Sequence, residues 1–196
     1  LNLKFDKKKF IDFVSKKIKI VEFSTSYKNS LNYLLYKNSF KTFHFKIDEI
    51  RIQKNNIEKY IYENVFNVLK KLDIKYIDVL YLHQNDIEII SNKKIQNILT
   101  KTLKSNLVKN IGVSLYNESE IQYALKNDIY SYLQIPINIT NTYYYLKYLD
   151  QLKKKKIVAR SIYLQGTLLN NCNQFKFKKE LDNYLNLIKN LSNKYN

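Results

Sequence analysis

Short apolar runs at residues 18–23, 41–46, 76–82, 108–114, 130–135 and 157–162 recur along this 196-residue chain, with amphipathic stretches between them. Alternation of that kind marks repeated β/α units, in which helices join parallel strands and cover the sheet. The run at 76–82, YIDVLYL, is broken only by Asp78 and reads as a strand covered on both faces. It ends on His83. Parallel α/β folds put their chemistry at the carboxyl ends of strands, which makes His83 a candidate site residue; the plainer alternative is a histidine that merely opens a loop.

The stretches between the runs are helical in pattern. Segment 57–72 places Ile57, Ile61, Val65, Val68, Leu69 and Leu72 on one face, as a helix covering a sheet requires. Segments 95–105 and 118–126 follow the same logic, and 142–154 carries a Tyr- and Leu-rich stripe expected to be core packing rather than a ligand-stacking platform. The whole chain, 1–196, fits a single domain with room for a substantial core.

Composition removes several classes of function. The only glycines are Gly112 and Gly166, so neither a glycine-rich dinucleotide fingerprint nor a P-loop can be built. A nucleotide would have to be gripped by loops at the carboxyl face of a TIM (β/α)8-type barrel, which needs no such fingerprint. The formal charge of +17 attracts polyanions through counterion release. Arginine, however, stands only at Arg51 and Arg160, and lysine lacks the planar fork that reads bases, so no specific nucleic-acid partner is expected. The lysine runs at 7–9 and 153–156 read as solvated faces beside helices. Cys172 has no disulfide partner, and no Cys–His spacing suggests zinc, so no metal is expected. No apolar run approaches the roughly 20 residues that span a bilayer. The opening LNLKFDKKKF also lacks a secretory apolar stretch, which makes the cytoplasm the expected compartment, without membrane attachment.

The segments VEFSTSY (21–27), FHFK (43–46), LKKLDIKYIDVLYLH (69–83), LVKNIGVSLY (107–116), LQIPIN (133–138) and ARSIYLQGTLL (159–169), in this order, resemble the aldo-keto reductases from about Lys8 onward. The last segment is most similar to the branch associated with bacterial surface-polysaccharide pathways. The resemblance implies a TIM barrel and an NADP(H)-dependent oxidoreductase, in which a tyrosine donates a proton while hydride leaves the nicotinamide. It implies Tyr27 as that tyrosine, with Lys46 and His83 as its lysine and histidine, and Glu22 where the family has an aspartate one methylene shorter. It further implies carboxamide contacts from Ser114 and Gln134, with Leu115 replacing a neighbouring asparagine. Arg160, followed by Ser161, stands where many members stack an aromatic ring on the nicotinamide.

The chemistry of this set is coherent in its own right. A phenol of pKa about 10 becomes a usable acid near neutrality when an ammonium stabilises its anion. Lys46 would do so, oriented by Glu22, while His83 donates to the oxygen that gains charge as hydride arrives. The departures also carry weight. A full barrel has eight β/α units in about 250 residues, whereas six strands are legible here, with none matching the first or the eighth. The loops around the last strands often hold phosphate, so NADP(H) binding is expected to be weak or lost and activity impaired. Lys28 and Leu31 replace a glycine and a glutamate that follow the family tyrosine, and the interval from Tyr27 to Lys46 is short. The expected function is reduction of a small carbonyl or sugar-type substrate; the alternative is a non-catalytic remnant or interaction protein that keeps the fold. Exposed sheet edges would favour self-association.

Overall fold

The computed structural model describes residues 6–27, 30–34, 40–48, 50, 56–83, 86–164 and 178–195. Lys28, Arg51, Gly166, Cys172 and the 165–169 part of the last resembling segment lie outside them. Among the described residues there is one sheet of six strands: β1 (Ile20–Ser24), β2 (Thr42–Ile47), β3 (Val79–Leu82), β4 (Ile111–Ser114), β5 (Tyr130–Pro136) and β6 (Lys156–Arg160). Each pairs in parallel with the next, in chain order. A strand order that never doubles back is the winding of a barrel wall, not of a doubly wound sheet. The wall is curled: Gln134 on β5 hydrogen-bonds Glu22 on β1. Four inter-strand steps of about 4.8 Å would hold them about 19 Å apart in a flat sheet. The architecture is a half-barrel, an incomplete version of the expected TIM barrel.

Helices follow the strands as the periodicity requires. They are α1 (Lys7–Lys17), α2 (Ser30–Leu34), α3 (Ile57–Leu72), α4 (Ile87–Ile90), α5 (Lys93–Lys104), α6 (Glu118–Lys126), α7 (Tyr143–Lys147), α8 (Leu149–Leu152) and α9 (Lys178–Tyr195). α3 buries Ile57, Ile61, Val65, Val68 and Leu69, starts on an Asn56 cap and stops at Asp73 in the left-handed region. α6 opens with Glu120 accepting from the backbone N–H of Tyr116 (2.9 Å) and Asn117 (3.0 Å).

Strand residues divide between two faces. Phe23, Phe45, Leu80, Leu82, Val113 and Leu133 join the apolar layer under the helices. The alternate residues, including Glu22, His44, Lys46, Tyr81, Gly112, Ser114 and Gln134, line the inside. There a Cβ on Gly112 would sit 2.4 Å from the Tyr81 ring, so glycine is what lets Tyr81 lie across β4. Each strand overlaps its expected run; β3 and β4 lie inside theirs and are shorter, whereas β1, β2, β5 and β6 are offset by one or two residues. β3 has four residues; just before it the Asp78 N–H donates to the Phe43 carbonyl at 3.0 Å, but the Phe43 N–H goes to the Asp78 carboxylate, at 2.9 Å, rather than to backbone. β6 ends at Arg160 because Ser161 turns into the left-handed region, φ 56°.

The stripe at 142–154 is core packing only in part. It breaks into α7 and α8 at Tyr148; Tyr148 and Leu152 are buried, whereas Tyr143 and Leu146 are 60% and 64% exposed. Lys153, Lys154 and Lys156 are solvated as expected, but Lys155 donates to the Asn127 carbonyl at 2.9 Å. Among the described residues no helix is long and apolar enough to cross a membrane, and no cluster of metal-ligating side chains is present.

Candidate active site

Parallel register sets the rim. Ser24 pairs with Lys46, and Lys46 with Tyr81, so β1, β2 and β3 finish at one level and their following residues share a cleft. Glu22 and Lys46 point inward from β1 and β2, and their charges meet at 2.7 Å. The Lys46 ammonium also donates to the Tyr27 hydroxyl, at 3.4 Å. Tyr27 is 44% exposed and stands edge-on to His83, ring centroids 6.1 Å apart. The four residues Glu22, Tyr27, Lys46 and His83, spread over the first half of the sequence, therefore form one continuous constellation.

The energetics of that cluster centre on Lys46. Its side chain is only 5% exposed, and an ammonium so buried costs several kcal/mol unless paired. At an effective dielectric of about 20, a carboxylate at this separation returns about 6 kcal/mol before desolvation. Glu22 is spread further: its second oxygen accepts from the Gln134 side-chain amide. The extra methylene relative to aspartate gives the carboxylate the reach to serve both neighbours.

The turn bearing Tyr27 is tied down by hydroxyls and one acid. The Tyr27 N–H donates to the Ser24 carbonyl at 3.2 Å, and the Ser30 hydroxyl donates to the same carbonyl at 2.7 Å. Asp48 accepts from the Ser24 hydroxyl at 2.7 Å and from the Thr25 hydroxyl, and lies 3.6 Å from His83 Nδ1. Burial pushes the Asp48 carboxyl up, but the hydrogen bonds from Thr25, Ser24, Ser26 and His83 together hold it below the usual carboxylate range. Asp48 was invisible to sequence reasoning, since no spacing rule links it to residues 24–26; the β1–β2 register makes the link.

On the other side of the cleft Ser114 of β4 and Gln134 of β5 are register partners, 1% and 2% exposed. Among the described residues Ser114 Oγ and Gln134 Oε1 are buried without a hydrogen-bond partner. An orphan hydroxyl beside an orphan amide oxygen offers one donor and one acceptor, the complement of a primary carboxamide. Leu115 is fully buried. Arg160, at the end of β6, donates to the Leu115 carbonyl at 3.1 Å and stacks 3.6 Å over the Tyr116 ring. Burial lowers its pKa from the ordinary arginine value. Ser161 serves the turn, its carbonyl accepting from the Leu164 N–H at 3.0 Å. Glu22 bridges the two sides of the cleft; Arg160 and Ser161 sit at its β6 border.

Comparison with solved structures places this arrangement. The glycerol dehydrogenase of Gluconobacter oxydans superposes with a TM-score of 0.64 at 16% identity, covering 87% of this chain and 58% of that one. The holo form of an aldo-keto reductase from Bacillus halodurans gives 0.67 at 16% identity over 86% and 59%. The aldose reductase of Schistosoma japonicum gives 0.57 at 18% over 85% and 64%. The chain thus spans about three-fifths of the length of these structures, and at such identities the likeness speaks for the fold. No curated protein matches it in sequence. Residues 13–193, however, match the aldo/keto reductase family, whose members typically use NAD(P)H. The chain belongs to the aldo/keto reductase family.

Proposed function

We propose that this chain is the carbonyl-reducing domain of an NADP(H)-dependent oxidoreductase, with Tyr27 as proton donor. One observation carries the reading: Lys46, buried and paired with Glu22 at 2.7 Å, places its ammonium 3.4 Å from the Tyr27 phenol. The ammonium thus faces the oxygen from which a donated proton would leave. Glu22 orients Lys46, and His83 faces the oxygen of the carbonyl. Ser114 and Gln134 hold the carboxamide of the cofactor, for which their orphan buried atoms are the right donor and acceptor. The nicotinamide, when bound, supplies hydride to the carbonyl carbon. The Arg160 guanidinium, with Ser161 beyond it, borders the ring. Leu115, fully buried, offers no polar contact to that carboxamide.

The substrate is a small carbonyl compound. A sugar-type substrate, and with it placement in the surface-polysaccharide branch, rests on segment 159–169 and its Arg160–Ser161 pair alone. The chain also self-associates: β1 and β6 lack an outer partner strand among the described residues, and Ile18 and Ile20 at the β1 side are each 53% exposed.

Titration of NADPH fluorescence, followed by a panel of aldehydes and sugar carbonyls, tests the reading. Binding should weaken in Ser114→Ala and Gln134→Ala. Tyr27→Phe should keep binding while turnover falls about 10²- to 10⁴-fold, the usual share of a positioned acid. No binding at millimolar NADPH or NADH and no turnover would leave the non-catalytic remnant as the function.

A further inference from the structure

Behind Tyr27 and His83 stands a carboxylate whose oxygens face two different elements. Asp48 lies just past the end of β2. Its Oδ2 accepts from the Thr25 hydroxyl, while Oδ1 accepts from the Ser24 hydroxyl at 2.7 Å and lies 3.6 Å from His83 Nδ1. Ser24 ends β1 and Thr25 begins the turn that delivers Tyr27. A further link, from the His83 N–H to the Ile47 carbonyl at 3.2 Å, anchors His83 to the residue before Asp48. One side chain therefore touches both elements that set the spacing between the phenol and the imidazole.

We propose that Asp48 is the positioning residue of this cleft, fixing the Tyr27 turn and holding the His83 ring with its Nδ1–H toward the carboxylate and Nε2 toward the cleft. An ionised carboxylate only accepts, so the ring nitrogen facing it is the one that bears a proton. Among the described residues, the charged and titratable groups that face the ring are Asp48 at the end of β2 and Tyr27 edge-on at 6.1 Å, with Lys46 behind the phenol at 3.4 Å from its oxygen. With Nδ1–H turned to Asp48, Nε2 donates to a substrate oxygen only when the ring carries both protons. The imidazolium is then the form that assists carbonyl reduction. Its consequence for turnover rests on the oxidoreductase reading; the ring orientation is independent of it.

The chain has two histidines, so nitrogen-15 NMR of the imidazoles, assigned with His44→Gln, reads the ring directly. In the wild-type chain the His83 Nδ1 should be protonated in the neutral ring. In Asp48→Asn, whose amide can donate to Nδ1, the ring should shift to the Nε2–H tautomer. Single-turnover hydride transfer from NADPH to an aldehyde should slow tenfold or more in Asp48→Asn, because the amide nitrogen that faces Nδ1 cannot accept from the Ser24 hydroxyl and the turn bearing Tyr27 loses its anchor, with NADPH Kd within twofold of wild type, and Asp48→Glu should recover part of the rate. A wild-type neutral ring bearing its proton on Nε2, or a tautomer and transfer rate unchanged in Asp48→Asn, overturns the proposal. A wild-type chain that reduces no carbonyl refutes the oxidoreductase reading, while the ring spectra still decide the orientation.

Discussion

The pair formed by Glu22 and Lys46 should behave asymmetrically when taken apart. Glu22→Leu strands an ammonium whose side chain is 5% exposed, a loss of the kind that costs 3–5 kcal/mol when one partner of a buried pair is removed. It also orphans the Gln134 amide, adding about 1 kcal/mol. The sum is about 4–6 kcal/mol, a large part of the 5–15 kcal/mol a domain typically has. Lys46→Met strands a carboxylate that is 26% exposed and still accepts from Gln134, so water and one hydrogen bond share the charge. That change should cost about 1–2 kcal/mol. The double variant Glu22→Leu/Lys46→Met removes both charges and keeps only the Gln134 penalty, and should lie within about 1–2 kcal/mol of the wild type. Urea unfolding of the four proteins, followed by circular dichroism, gives the cycle, with an expected coupling of about 5 kcal/mol favouring the intact pair. Additive single variants, or a Glu22→Leu protein no less stable than Lys46→Met, would refute a buried pair held by burial and geometry.

Acid should weaken the fold through the barrel interior first. His44 is 6% exposed between the rings of Tyr81 and Tyr132, and burial pushes its pKa below the ordinary histidine value despite Glu22 and Asp78. The unfolded chain therefore binds this proton more readily, so the His44 contribution is complete above about pH 6.5 and lost as pH falls below it toward the folded value. Asp48, also lowered, follows only below about pH 4. Urea midpoints measured from pH 8 to 5 should decline on the acid side, and His44→Gln should flatten that decline; an unchanged slope would assign it elsewhere. Sedimentation velocity should show association that grows with concentration, and Ile20→Lys, which places a charge on the β1 edge, should reduce it; a monomer at all concentrations would count against edge pairing.

Local pattern carried the fold a long way. α3 and α6 run over the residues their stripes marked, because each pairs a clean apolar face with an asparagine at its start. The six strands overlap the six apolar runs because burial on both faces leaves few other readings. Shortfalls came where a side chain overrode propensity. The Asp78 carboxylate takes the Phe43 N–H just before β3, and Tyr148 breaks the stretch at 142–154 in two. α1 was read only as a helix-like neighbour of a lysine run, since Phe10 and Phe13, 50% and 62% exposed, give no buried stripe. Family resemblance singles out Glu22, Tyr27, Lys46 and His83, but Asp48 comes from the parallel register, which no linear spacing encodes.

Glu22 shows why a single methylene matters to such a cleft. As a swap of one acid for another it reads as conservative, yet its two oxygens go to opposite sides of the half-barrel: Oε1 to Lys46 at 2.7 Å and Oε2 to Gln134, 112 residues on. Only the nitrogen end of an amide can donate to a carboxylate, so this contact fixes which way Gln134 is turned and leaves its oxygen, buried and orphaned, facing away from Glu22. The same carboxylate that pairs with Lys46 beside the phenol therefore sets the acceptor offered beside Ser114. On the proposed oxidoreductase reading, one side chain couples the proton donor's lysine on β2 to the carboxamide site on β4 and β5, and a change at position 22 should be felt on both sides of the cleft.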